Sequence, residues 1–218
     1  MHIYEIDGKK LPSVTTIVHC LGDDKLMRWA NSLGFRHIKY DAEMERTSSF
    51  GTLVHSHLQA IVDPDNAEPL NPRNSIEGHD LEIIKTDFMN FISKYEYKTV
   101  FTEHTIKSVE LGYAGTLDWL TYIGPYLCLM DFKTSKAPRF NMYLQLGGYY
   151  NLLKTEGYDI DYAAIITANF NGCKMHPINK ESILYFSEAF HQLSVYFNNT
   201  FEKEIGINYD LTEILTTH

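Results

Sequence analysis

The apolar residues of this chain change period near residue 97, and that change divides it into two kinds of structure. From His79 to Tyr95, Leu81, Ile84, Phe88, Phe91 and Ile92 recur at helical spacing. Beyond it, residues 100–106, 111–122 and 126–134 are rich in β-branched and aromatic side chains and read as three strands. Ile123-Gly124-Pro125 is the turn between the last two. The strands of that hairpin are apolar, yet they carry Asp118, Asp131 and Lys133. Charges within apolar strands are costly unless paired or bound to a metal.

Other segments follow from local signals. Residues 1–11 alternate weakly around Asp7-Gly8, a short hairpin or extended arm. Ser13 can cap a helix start over 13–18. Helices are expected from about Asp23 to Glu45 and from Ser48 to Val62, with residues 63–72 as a polar, proline-rich loop. After Pro138 a helix should run over 141–155, then a strand over 162–168, a turn at Asn171-Gly172 and a last helix over 181–204. The expectation is an α/β fold in one domain, 1–218, with 1–97 mainly helical and 98–218 holding the sheet and C-terminal helices.

Composition narrows the class. With 218 residues, 44% of them hydrophobic, the chain can bury one substantial core. No run of 18 apolar residues suggests a membrane span, and no secretory signal pattern opens the chain. Cys20, Cys128 and Cys173 are odd in number and widely spaced, which fits reduced thiols in a cytoplasmic setting and excludes a four-cysteine metal cluster. A net charge of −9 argues against a protein that coats nucleic acid through basic patches. A bound cation can nonetheless invert the local field.

Counting from the turn, Asp118 and Asp131 fall nearly opposite one another, about 5 Å apart at Cβ. Carboxylates that close repel unless a cation lies between them, and Mg²⁺ or Mn²⁺ suits such oxygen donors. Lys133 shares a strand face with Asp131 and can aim a point charge at a scissile phosphate or a metal-activated water. Two acids, a hard cation and a lysine are the apparatus of phosphodiester hydrolysis.

Two helices add polar residues. Gln145 and Tyr149 are spaced i, i+4, around the adjacent Gly147 and Gly148. Two glycines weaken a helix by about 1 kcal/mol each, so something is expected to approach closely there. His55 and Gln59 likewise share a face, after Gly51-Thr52.

Together these pieces resemble the PD-(D/E)xK nuclease superfamily, and within it the RecB-like exonucleases, including small phage members and the mitochondrial genome maintenance exonuclease. The matching stretches are Pro12–Ile17, Gly51–His55, Gly112–Asp118, Met130–Thr134 and Gln145–Tyr149. The resemblance implies a restriction-endonuclease-like core, a mixed central β-sheet flanked by helices with an N-terminal helical region. It also implies a Mg²⁺- or Mn²⁺-dependent DNA exonuclease acting on single-stranded DNA or free ends. The setting would be phage-type DNA degradation, recombination, repair or replication in the host cytoplasm, alongside recombination or replication proteins.

By the same resemblance, His55, Asp118, Asp131 and the carbonyl of Phe132 would hold the metal. Lys133 would be catalytic, Gln145 and Tyr149 would support the site, and Glu103 would match a further acid. From the residues alone, Lys136 and Arg139 either hold flanking phosphates or stand in an ordinary solvated loop, and Trp119, Tyr143 and Tyr150 read better as core or rim aromatics than as stacking partners for a base. Many relatives carry glutamate where this chain has Gln59. The alternatives are a structure-specific endonuclease of the same fold and a catalytically silent DNA- or partner-binding protein.

Overall fold

The computed structural model describes residues 3–22 and 24–206. Met1 and His2 of the expected arm, Asp23 at the expected helix start, and 207–218 lie outside the described residues.

β1 (Ile3–Ile6) and β2 (Lys9–Pro12) form a hairpin, turned by Asp7 at φ 49° and Gly8 at φ 75°. Two successive positive φ values give a tight turn whose twist matches the flanking strands. Ser13 caps α1 (Val14–His19) by accepting the Thr16 amide at 2.9 Å. α2 (Asp24–Phe35) ends where His37 takes φ 55°.

α3 (Tyr40–Val62) corrects the expected helix boundary. The interruption falls at 36–39, and 40–62 is unbroken through Thr47-Ser48-Ser49. Thr47 and Thr52 return their hydroxyls to the carbonyls of Glu43 and Ser48 one turn earlier. Polar side chains that bond their own helix cease to compete with it. α4 (Ser75–Ile92) also starts earlier than its apolar periodicity indicates. Asn74 accepts the amides of both Ile76 and Glu77 at 3.0 Å, and that cap sets the first turn.

Then follow β3 (Tyr97–Ser108), β4 (Tyr113–Ile123), β5 (Tyr126–Lys133), α5 (Phe140–Thr155), β6 (Tyr162–Asn169), β7 (Gly172–Asn179) and α6 (Lys180–Gly206). The five-stranded sheet runs β3-β4-β5-β6-β7. All neighbours are antiparallel except β5 and β6, which are parallel and joined through α5. A parallel pair requires such a crossover. This mixed α/β sheet, flanked by helices, is compatible with a restriction-endonuclease-like core.

One face carries a core of Leu117, Leu129 and Ile165 packed under α1, α5 and α6. The other packs Trp119, Met130, Phe132 and Ile166 under α3 and α4. Strand alternation therefore places β5 and β6 side chains on both cores, which explains their near-continuous apolar runs.

The paired glycines of α5 do mark a close approach. A Cβ at Gly147 would stand 2.3 Å from the Phe186 carbonyl oxygen, and one at Gly148 would stand 2.8 Å from the Phe190 ring. α6 lies against α5 at that point because no side chain intervenes. Among the described residues, no helix is long and apolar enough to cross a membrane.

Candidate active site

β4 and β5 pair from Ile123↔Tyr126 down to Trp119↔Met130, and there the ladder stops. The next opposed pair in that register is Asp118 and Asp131. β5 continues beside β6 as far as Lys133↔Thr167, while β4 continues beside β3 to Tyr113↔Ser108. The sheet thus forks at the two acids. Asp118 Oδ2 spans the fork by accepting the Phe132 amide at 2.7 Å, in place of the lost backbone partner. A hydrogen bond to a charged acceptor is worth about 1.5–3 kcal/mol.

A local irregularity in β3 and β4 aims Asp118. Glu103 lies between the Thr102↔Trp119 and His104↔Leu117 pairs, opposite Asp118, and takes φ 47°. Leu117 enters the core beneath α5, whereas Trp119 enters the core beneath α3 and α4. In a regular strand those two would share a face. Gln59 of α3 donates its amide to the Glu103 carboxylate. An amide can make that bond where a second carboxylate would repel, so glutamine at this position partners Glu103.

His55 of α3 approaches from above, its Nδ1 3.6 Å from Asp118 Oδ2. Its ring meets Phe132 edge-on, with centroids 6.1 Å apart. Lys133 Nζ stands 2.5 Å from Asp131 Oδ2, an ion pair. Apart from that ammonium, Asp131 has no hydrogen-bond donor, although the residue is only 1% exposed. The ammonium neutralises the carboxylate and meets Oδ2, leaving Oδ1 without a partner. On α5, Gln145 Nε2 donates to Tyr149 Oη at 2.7 Å and reaches Thr15 Oγ1 at 3.4 Å.

Protonation follows from this crowding. Burial pushes Asp131 up to about 6, with the Asp118 charge adding to it against the pull of Lys133. Burial raises Asp118 as well, opposed by Lys133 and the Phe132 amide. Burial on its own would depress Lys133, but Asp131 and Asp118 outweigh it and hold the ammonium above its usual range. His55 is depressed to about 4 by burial and then by the Lys133 charge. Tyr149 is raised well above a normal phenol by burial and by both carboxylates. At neutral pH the site therefore holds a neutral imidazole, a charged lysine, and two carboxylates held by the Lys133 ammonium and the Phe132 amide.

His55, Asp118, Lys133, Gln145 and Tyr149 line a cavity of about 1040 Å³ together with Arg139 and Asn141, with Asp131 buried behind that lining. Lys136 is exposed and lies outside that lining. The aromatic candidates are placed elsewhere. Trp119 is fully buried and donates to Thr99 Oγ1 at 3.0 Å; Tyr150 is buried and donates to Asp159; Tyr143 stacks on Phe186 at 5.5 Å. Sequence reading overlooked Trp29 of α2, which does line the cavity, with Leu26 one turn earlier. The i, i+3 spacing of Leu26 and Trp29 was the available signal. Among the described residues, no three His, Cys, Asp or Glu side chains form a ready metal cage.

No family model matches the chain, and no curated protein matches its sequence at a significant level. Among solved structures, the protein SSO0001 is similar with a TM-score of 0.41 and 16% identity, over 88% of this chain and 79% of its own. The alkaline exonuclease LHK-Exo from Laribacter hongkongensis is similar with a TM-score of 0.34 and 9% identity, over 70% of this chain and 95% of its own. LHK-Exo in complex with dAMP gives the same score and identity over 71% of this chain and 94% of its own. Likenesses this distant say nothing of activity, so function rests on the site itself.

Proposed function

We propose that the chain is a single-domain, divalent-metal-dependent nuclease that hydrolyses DNA phosphodiester bonds as an exonuclease. The observation that carries this reading is Asp131, a strand carboxylate only 1% exposed that is held by the Lys133 ammonium and has no other donor, beside Asp118 at the fork of the sheet. Buried carboxylates are normally hydrogen-bonded, paired or metal-bound. Lys133 meets one oxygen, so the other keeps lone pairs that a hard cation can take.

Asp118, Asp131, the neutral imidazole of His55 and the Phe132 carbonyl would hold Mg²⁺ or Mn²⁺, whose preference for oxygen donors this set suits. When bound, such an ion lowers the pKa of a coordinated water and offsets charge on the scissile phosphate. The protein's own contribution is positional and electrostatic. Lys133 stays protonated, so it acts as a fixed positive charge towards the phosphate and not as a base. Gln145 fixes the Tyr149 hydroxyl, which stays a neutral donor at the rim of the site. Arg139, in the same cavity, suits a flanking phosphate.

Linear single-stranded DNA compared with the same sequence as a circle tests both the chemistry and the need for an end. Degradation of the linear form in Mg²⁺ or Mn²⁺, with the circle left intact, is the expected result. Cleavage of the circle would make the enzyme an endonuclease. Binding without cleavage of either form would leave the silent DNA-binding protein as the better reading.

A further inference from the structure

The cavity beside Asp118 has a lining of two kinds. Lys133, Thr134 and Arg139 bring polar and cationic groups from β5 and the segment after it, whereas Val18, Leu26, Trp29 and Met44 bring apolar ones among polar neighbours. Those apolar groups come from α1, α2 and the first half of α3, apart from the sheet. The cavity's volume of about 1040 Å³ is at the top of the range for small-ligand sites, too large for a bare phosphate. A nucleotide combines the same two chemistries, an anionic phosphate and an aromatic base.

Trp29 is set up to receive that base. It is half-buried in the wall and held edge-on by Tyr40, the ring centroids 5.8 Å apart at 63°. The chain's other tryptophan, Trp119, is fully buried in the sheet core. Net charge bears on the choice of occupant. At −9 the protein has no broad basic surface to follow a phosphate backbone, and Lys133 and Arg139 are the cations this cavity supplies among the described residues. Affinity for a strand must then come largely from stacking, which supplies about 1–3 kcal/mol per base. An unpaired base can turn freely onto a ring, whereas a base inside a duplex is already stacked on both neighbours.

We infer that Trp29 is the base platform of this site, stacking on an unpaired nucleotide whose phosphate lies at Lys133, and that it selects single-stranded over duplex DNA. This rests on the nuclease reading of the same cavity. The test reads binding separately from cleavage. A short oligothymidylate is titrated into the metal-free protein, with tryptophan emission and the anisotropy of a labelled strand followed together.

Quenching of wild-type emission on binding is expected, with none from a duplex of equal length. Trp29→Leu should lose the quenching and bind about 5- to 160-fold more weakly. Trp29→Phe should retain most of the affinity, since it keeps a ring. A merely apolar contact would treat leucine and phenylalanine alike, and that result would overturn the platform. Strand binding without quenching, or no strand binding by wild type, would overturn it too. If wild type binds with quenching yet cleaves nothing in Mg²⁺ or Mn²⁺, the catalytic reading fails and the platform stands.

Discussion

The Asp118 carboxylate holds the Phe132 amide at 2.7 Å across the point where β4 and β5 part. One side chain thus both closes the strand fork and faces the site, and the two roles can be separated. Asp118→Asn keeps an acceptor for the amide, so its unfolding free energy should stay within about 1 kcal/mol of wild type. Asp118→Ala leaves the amide unpaired and should lose about 1–3 kcal/mol in urea denaturation. Both variants should bind Mn²⁺ poorly. Equal stability of the two would show that the amide bond contributes nothing.

Lys133 is expected to act through its charge. Its ammonium is held protonated by Asp131 and Asp118, so Lys133→Met should remove transition-state stabilisation without removing a base. Loss of one such group costs roughly 10²- to 10³-fold in rate. Single-turnover cleavage should fall by that amount, with a pH profile above neutrality shaped like that of wild type. A new limb in the wild-type profile that disappears in the variant would instead identify Lys133 as a titrating base.

Metal affinity should depend on pH through Asp131. Its carboxyl is raised to about 6, so the folded metal-free protein takes up a proton as pH falls through that value, and the proton competes with the cation. His55, depressed to about 4, stays neutral over the same window and adds no competition above it. Calorimetric titration should therefore show Mn²⁺ affinity level above about pH 7 and weaker by about tenfold near pH 5. Affinity unchanged across that window would remove Asp131 from the ligand set.

Gly147→Ala should destabilise the fold although alanine is the better helix former. The gain in propensity is about 1 kcal/mol, but the new methyl would meet the backbone of Phe186 at 2.3 Å. Overpacking of that kind costs about 1–3 kcal/mol and must displace α6. A net loss of stability is the expected sign in chemical denaturation. A gain would mean that α6 is free to move away from α5.

Much of this architecture was legible because local patterns and tertiary packing agree. The hairpin register, the Ser13 cap, the crossover helix and the close approach at Gly147-Gly148 all follow from alternation, turn residues and spacing. The break between α2 and α3 was misplaced because Thr47-Ser48-Ser49 looks like a helix end, whereas the Thr47 and Thr52 hydroxyls bond carbonyls of the preceding turn. The fork at Asp118 was hidden for a different reason. Register counting opposes Asp118 to Asp131, but it cannot show that the ladder ends one pair earlier or that Glu103 takes a left-handed conformation. Trp29 was missed because its relation to Lys133 is purely tertiary: they stand 104 positions apart in the chain.

Cleavage of a labelled linear single strand in Mg²⁺ or Mn²⁺, by wild type, Asp131→Ala and Lys133→Ala side by side, addresses metal-dependent hydrolysis at the fork most directly. Wild type should shorten the strand and stop when the metal is chelated, and both folded variants should be inactive or nearly so. Undiminished cleavage by either variant, or wild-type cleavage that survives chelation, would contradict the assignment of the site.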